Sequence, residues 1–143
     1  MPSPEVQKKI LSLCTGNSCR SQMAEGWCRH LKGSTYESHS AGIRSHGLDH
    51  LAVEVMAEKG VDISQYRSKT IEELGELNFD LIITLCDHAH ETCPFLPGTT
   101  IHMGFDDPPK LVKNLGDKEN ILSHYRRIRD EIKIFISQLP NQY

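Results

Sequence analysis

Apolar residues change their spacing several times along this chain, and the changes mark out its elements. Ile10, Leu11 and Leu13 end a short run that predicts a strand from about Gln7 to Leu13. Phe79 to Leu85 (FDLIITL) is an unbroken apolar run, the pattern of a strand covered on both faces. Thr35 to Ser40, closed by Ala41-Gly42, and Thr100 to Phe105 predict two further strands. Between these runs the spacing becomes helical. Met23, Ala24, Trp27 and Leu31 predict a helix over about Arg20 to Leu31. Leu51, Val55 and Met56 predict another over about Asp49 to Lys59, stopped by Gly60. A last helix, about Lys118 to Leu139, puts Ile121, Tyr125, Ile128, Ile132, Phe135 and Leu139 on one stripe. Arg126, Arg127, Arg129 and Asp130 fall on its wet side. Strands alternating with helices predict an α/β fold, a small four-stranded parallel sheet with helices on both faces.

No repeat, low-complexity tract or linker interrupts the 143 residues, so residues 1–143 read as one domain large enough for a real core. A net charge of −3 gives no basic surface for nucleic acid or an anionic membrane. No apolar stretch approaches a membrane span, and the opening Met-Pro-Ser-Pro-Glu lacks the pattern of a secretory signal. The expectation is a cytoplasmic protein. In that compartment the five cysteines, Cys14, Cys19, Cys28, Cys86 and Cys93, read as thiols with catalytic or redox roles before metal binding or a disulfide frame.

The chemistry concentrates at Cys14-Thr-Gly-Asn-Ser-Cys-Arg20-Ser21, between the first predicted strand and the first helix. A turn containing Gly16 allows the amides of Thr15, Gly16, Asn17, Ser18 and Cys19 to point inward at an anion. The following helix aims its positive end at the same place. Arg20 adds a planar fork for two oxygens. The same field favours Cys14 as a thiolate nucleophile, with Ser21 placed to donate a hydrogen bond. The plain alternative is a buried cysteine beside a surface arginine, but thiol, glycine turn, arginine and serine coincide at a strand-to-helix junction, the context such a motif needs.

Two further centres fall at predicted strand ends, where α/β folds bind ligands. Asp106-Asp107-Pro108 follows the fourth strand, and Pro108 restricts Asp107 to an extended form able to supply a proton to a leaving oxygen. Cys86-Asp-His-Ala-His-Glu-Thr-Cys93-Pro94 follows the third. It admits a metal site of Cys86, His88, His90 and Cys93, crowded for zinc; inert packing; or a redox pair working with Cys14. A helix across the segment separates the two Cα atoms by about 10 Å, whereas a disulfide needs about 7 Å or less. A bridge therefore requires the segment to bend out of helix, and oxidation is expected to remodel residues 86–97. Cys28 reads as packing; Cys19 reads as structural. His39, His46, His50, His102 and His124 read as surface or capping residues.

Cys14-TGNSCRSQMAEGW through Trp27, Ser40-Ala41-Gly42, Leu85-Cys86 with Cys93-Pro94, and Gly104-Phe-Asp-Asp107-Pro108 together resemble the thioredoxin-coupled arsenate reductases of the low-molecular-weight protein tyrosine phosphatase superfamily. The resemblance runs from about Ile10 to Phe135. It implies a flavodoxin-like strand order and a monomer with no bound cofactor or metal, drawing electrons from thioredoxin. Arsenate is the implied substrate, with phosphate or sulfate as analogues. By the resemblance Cys14 attacks arsenate held by the loop amides and Arg20, and Asp107 protonates the departing oxygen. Cys86 then attacks Cys14, arsenite leaves, and Cys93 attacks Cys86 to pass the disulfide outward.

The resemblance also has Asn17 bridge the loop to Ser40. Some relatives bind potassium beside the loop through the residues matching Asn17 and Glu25. Here Arg67 and Lys69 stand where neutral and acidic ligands are wanted. Lys69 is therefore expected to meet Glu25 or Asn17, its ammonium replacing the ion. Two rivals remain open: a tyrosine phosphatase using Cys14, Arg20 and Asp107 alone, and a non-catalytic redox or metal regulator built on the 86–93 segment. Pro109 and Lys110 follow the acid where such phosphatases carry an aromatic, which counts mildly against the first.

Overall fold

The computed structural model describes residues 7–75, 78–92 and 98–139. Four strands, β1 (Lys8–Cys14), β2 (Tyr36–Gly42), β3 (Leu81–Thr84) and β4 (Thr99–His102), form one sheet in the order β2-β1-β3-β4. All three pairings are parallel, with Cys14 opposite Gly42 and Leu13 opposite Thr84. This is the expected architecture and order. The two central strands carry the most apolar sequence because helices cover both of their faces; Ile10, Leu11, Leu13, Ile82 and Ile83 are fully buried. β4 lies at the edge and is mostly exposed, which is why its sequence reads weakly.

Helix α1 (Arg20–Lys32) packs on α5 (Lys118–Ser137), and the indole N–H of Trp27 donates to the Arg129 carbonyl at 3.1 Å. α2 (His50–Ala57) begins at Asp49, whose carboxylate accepts the Leu51 amide. Beyond its end Gly60 takes a left-handed φ of 76°, as its position after the apolar pattern predicts. Two short helices have no counterpart in the periodicity: α3 (Asp87–Thr92) and α4 (Pro108–Leu111). Six and four residues are too few for a hydrophobic stripe to show. The Pro108 that starts α4 is well suited to the first helical position, where no amide hydrogen is required.

The predicted third and fourth strands are longer than β3 and β4, and backbone pairing explains the difference. The Leu85 amide still donates to Leu13, and the Phe105 amide to Leu85, after the regular ladder ends. Those bonds carry the chain to the carboxyl side of the sheet, where Cys14, Cys86 and Asp107 emerge.

Candidate active site

The loop from Cys14 to Cys19 turns all of its carbonyls outward, and each accepts a hydrogen bond. A strap of residues 43–49 supplies most of the donors. Ile43 N–H reaches Cys14 O at 3.2 Å, Arg44 N–H reaches Thr15 O at 2.9 Å, His46 N–H reaches Gly16 O at 2.9 Å, and Asp49 N–H reaches Ser18 O at 2.9 Å. Gln22 Nε2 donates to Asn17 O, the Met23 amide to Cys19 O, and Ser68 Oγ to Gly16 O. With the carbonyls committed outside, the loop amides are left to the interior. Among the described residues none from Thr15 to Cys19 donates to another backbone group. This is the geometry of an anion nest.

The loop's left-handed residue is Asn17 (φ 48°), not Gly16, a conformation asparagine tolerates better than most. Gly16 is needed for a different reason. A Cβ there would lie 2.4 Å from His46 Nδ1, because the imidazole covers the loop at that point. His46 is exposed, in keeping with its reading as a surface or capping residue. It also lines the cavity, placed there by its amide bond to Gly16 O in the loop.

Hydrogen bonds diverge from Asn17, one branch reaching Glu25 through Ser40 and the other reaching Cys14 through Ser21. Ser40 Oγ donates to Glu25 Oε1 at 2.6 Å, and Asn17 Nδ2 donates to Ser40 Oγ at 3.0 Å and to Ser21 Oγ at 2.8 Å. Ser21 Oγ accepts from Asn17, so its own hydrogen is available to Cys14 Sγ, 2.8 Å away. Asn17 Oδ1 is fixed in turn by the Lys69 amide at 2.9 Å and by Gln22 Nε2 at 3.0 Å. Lys69 Nζ lies 3.6 Å from Glu25 Oε1, 3.5 Å from Ser40 Oγ and 3.3 Å from Arg67 O. Burial holds the Lys69 ammonium below the usual lysine range, and Glu25 opposes that shift. Arg29 covers the other carboxylate oxygen of Glu25 at 2.8 Å.

Arg20, at the start of α1, is buried. Its Nη1 donates to Phe105 O at 3.0 Å, and its Nη2 lies 3.7 Å from Asp107 Oδ1. Asp107 is extended (φ −88°, ψ 106°), as the following proline requires, and its side chain is 40% exposed and caps nothing. The neighbouring Asp106 is held by Arg127 at 3.0 Å, which leaves Asp107 as the acidic group over the loop. A cavity of about 380 Å³ is floored by Cys14 and the loop, with His46 on its wall and Asp107 and Pro109 also lining it. A second, of about 720 Å³, shares Arg20 and Asp107 with it and extends to Cys86, Asp87 and Lys110.

Cys86 is buried between β3 and α3. Its Sγ lies 3.1 Å from Thr15 Oγ1 and accepts the Ala89 amide at 3.4 Å. The second thiol is therefore seated against the anion loop itself. Cys93 and the side chains of His88 and His90 lie outside the described residues, as does part of the 86–97 segment expected to rearrange. His102, exposed as its reading as a surface or capping residue expects, bridges Thr84 Oγ1 at 2.9 Å and Asp87 Oδ1 at 3.0 Å, tying the start of α3 to β4. Burial pushes the Cys28 thiol up to about 11, consistent with a packing role. It raises Cys19 well above the usual range, with Asp49 adding to the effect. Among the described residues no group of three or more His, Cys, Asp or Glu is arranged to hold a metal, and no helix is long and apolar enough to cross a membrane.

Residues 9–142 match the model of the low molecular weight phosphotyrosine protein phosphatase family. An arsenate reductase of Halalkalibacterium halodurans is 47% identical over 128 residues, 88% of this chain and 90% of that protein. Arsenate reductase 2 of Staphylococcus epidermidis is 42% identical over 138 residues, 95% of this chain and 98% of that one. A solved arsenate reductase in its phosphate-binding state superposes with a TM-score of 0.71 at 29% identity, covering 95% of this chain and 98% of its own. Since the family model spans almost the whole chain and these relatives follow it nearly end to end, the protein is a member of the low molecular weight phosphotyrosine protein phosphatase family.

Proposed function

We propose that the protein reduces arsenate to arsenite and draws the electrons from its own thiols. The observation that carries this reading is the seat of Cys86, whose sulfur lies 3.1 Å from the hydroxyl of Thr15, inside the anion loop. Ester hydrolysis needs one sulfur at this loop. Reduction needs a second within reach. The curated relatives named arsenate reductase support the same choice.

Arsenate enters the loop with its oxygens on the inward amides and the free face of the Arg20 fork. The Cys14 thiolate, hydrogen-bonded by Ser21, attacks arsenic, and an oxygen departs as water with a proton from Asp107. Cys86, whose sulfur meets the Thr15 hydroxyl and accepts the Ala89 amide, gives up its proton and attacks Cys14 sulfur. The Cys14–arsenic bond breaks with both electrons passing to arsenic, arsenite leaves, and a Cys14–Cys86 disulfide remains. Cys93 attacks Cys86, releasing Cys14 as thiolate. The resulting Cys86–Cys93 disulfide is reduced by the dithiol of thioredoxin. Asn17, Ser40, Glu25 and Lys69 keep the loop rigid, so the cradle is formed before substrate arrives.

Arsenate-dependent NADPH oxidation, coupled through thioredoxin and thioredoxin reductase, tests this. Cys14→Ser, Cys86→Ser and Cys93→Ser should each abolish turnover, while Cys14→Ser alone should remove the weak phosphatase activity the cradle retains. Full arsenate reduction by Cys86→Ser or Cys93→Ser overturns the cascade, and phosphatase activity without any arsenate reduction by the unsubstituted protein leaves an ester hydrolase.

A further inference from the structure

Tyr125 lies on the buried stripe of α5, where a phenylalanine would fill the same space. Its hydroxyl nevertheless makes a 2.7 Å hydrogen bond to Asp49 Oδ2. Asp49 is the last residue of the strap. Its other carboxylate oxygen accepts the Leu51 amide at the start of α2, and its own amide donates to Ser18 O at 2.9 Å. Earlier strap bonds, from Ile43, Arg44 and His46, are made by the backbone alone. At Asp49 the strap is also tied to the core through a side chain, and that tie leads directly to the Ser18 end of the anion loop.

The geometry points to Tyr125 as a positioning residue for the oxyanion: through Asp49 it fixes the strap against Ser18 and so aims the last loop amides into the cradle. This rests on the reading of the loop as an oxyanion site. Release of the tyrosine bond frees the Asp49 carboxylate to turn toward solvent, and the strap end can then drift from Ser18. A Ser18 carbonyl that loses its donor no longer constrains the Ser18–Cys19 peptide, whose amide must face the anion. The Asp49 carboxylate also adds to the burial that raises the Cys19 thiol well above its usual range.

Inorganic phosphate and arsenate are titrated calorimetrically into the reduced full chain, and arsenate turnover is measured alongside. Tyr125→Phe keeps the ring and its packing. Asp49→Ser keeps an oxygen for the Leu51 amide but does not reach the phenol. Each is expected to weaken phosphate binding about tenfold, the effect of losing one hydrogen bond to a charged group. The double variant should lose no more than either alone. KM for arsenate should rise while kcat holds, since the lost contact acts on ground and transition states alike. Asp49→Asn can keep its oxygen on the Leu51 amide while its Nδ2 donates to the phenol oxygen, so the tie survives with its direction reversed and binding should exceed that of Asp49→Ser. Lower melting temperatures with unchanged phosphate affinity overturn the proposal, because the pair would then serve stability alone. Loss of the fold in both single variants, seen by circular dichroism, overturns it for the same reason. Absence of phosphate binding by the unsubstituted protein overturns the oxyanion reading itself, an outcome distinct from equal binding by all variants.

Discussion

Gly42→Ala tests whether the strap creates the anion loop. Gly42 is the last residue of β2, opposite Cys14, where the strap departs. A Cβ at this position would lie 2.3 Å from Arg44 O, 2.7 Å from Asn17 N and 2.8 Å from Thr15 O. All three atoms are backbone, so no side chain can rotate away and the strap must lift from the loop. Overpacking of this kind costs about 1–3 kcal/mol. The Arg44–Thr15 bond, 2.9 Å long, is lost as the strap moves, at about 1 kcal/mol more. Together these give about 2–4 kcal/mol, or about 8–16 °C in melting temperature for a domain of this size. Phosphate binding should fall with it, because the Asn17 amide is among the groups displaced. Gly116→Ala is the control: nothing lies within 4 Å of its Cβ position, and its φ is not left-handed. Calorimetric melting and phosphate titration of the two variants decide the matter. A Gly42→Ala protein that melts within a degree or two of the parent and binds phosphate as well would refute the reasoning.

Three other outcomes follow from the same geometry. Turnover should be the same in potassium and sodium buffers, because the Lys69 ammonium already stands beside Glu25, Ser40 and Arg67 O; a several-fold gain in potassium refutes that substitution. Asp107→Asn keeps the shape of the side chain but not its proton, and should lower kcat about 10²–10⁴-fold with little change in phosphate affinity; stopped-flow turnover that stays normal removes Asp107 as the acid. Glu58 is held below the usual carboxylate range by Arg126 first and Arg129 as well. Its contribution to stability is present above the unfolded pKa, about 4.3, and fades as pH falls through its depressed folded value. Glu58→Gln should therefore lower the melting temperature at pH 7 and do so less and less as pH falls through the depressed value; a loss that does not shrink on acidification contradicts the assignment.

The strands, their parallel order and the cradle were legible because each depends on side-chain type. Buried strands need apolar runs, and an oxyanion loop at a strand end needs its thiol, arginine and serine in sequence. The strap was not legible, since it acts through amides that nearly every residue carries. The same reason hid the purpose of Gly16 and Gly42, which is close approach to His46 and to backbone rather than freedom to turn. His46 and His102 are exposed, as read, but their contacts were hidden because the partners are remote in sequence: Gly16 for one, Thr84 and Asp87 for the other. Tyr125 disappeared into the apolar stripe of α5, where its ring belongs, and nothing in that periodicity distinguishes a phenol from a phenyl group.

The Asn17 amide, which donates to Ser40 on the Glu25 side and to Ser21 on the Cys14 side, has a consequence for the nucleophile. Ser40 and Ser21 are rotors, yet neither is free to reverse, because an amide that can only give hydrogen sits between them and a fixed anion anchors the far end. The orientation of the Ser21 hydroxyl toward the sulfur is thus installed during folding by Asn17, whose own carbonyl oxygen is held by the Lys69 amide and Gln22.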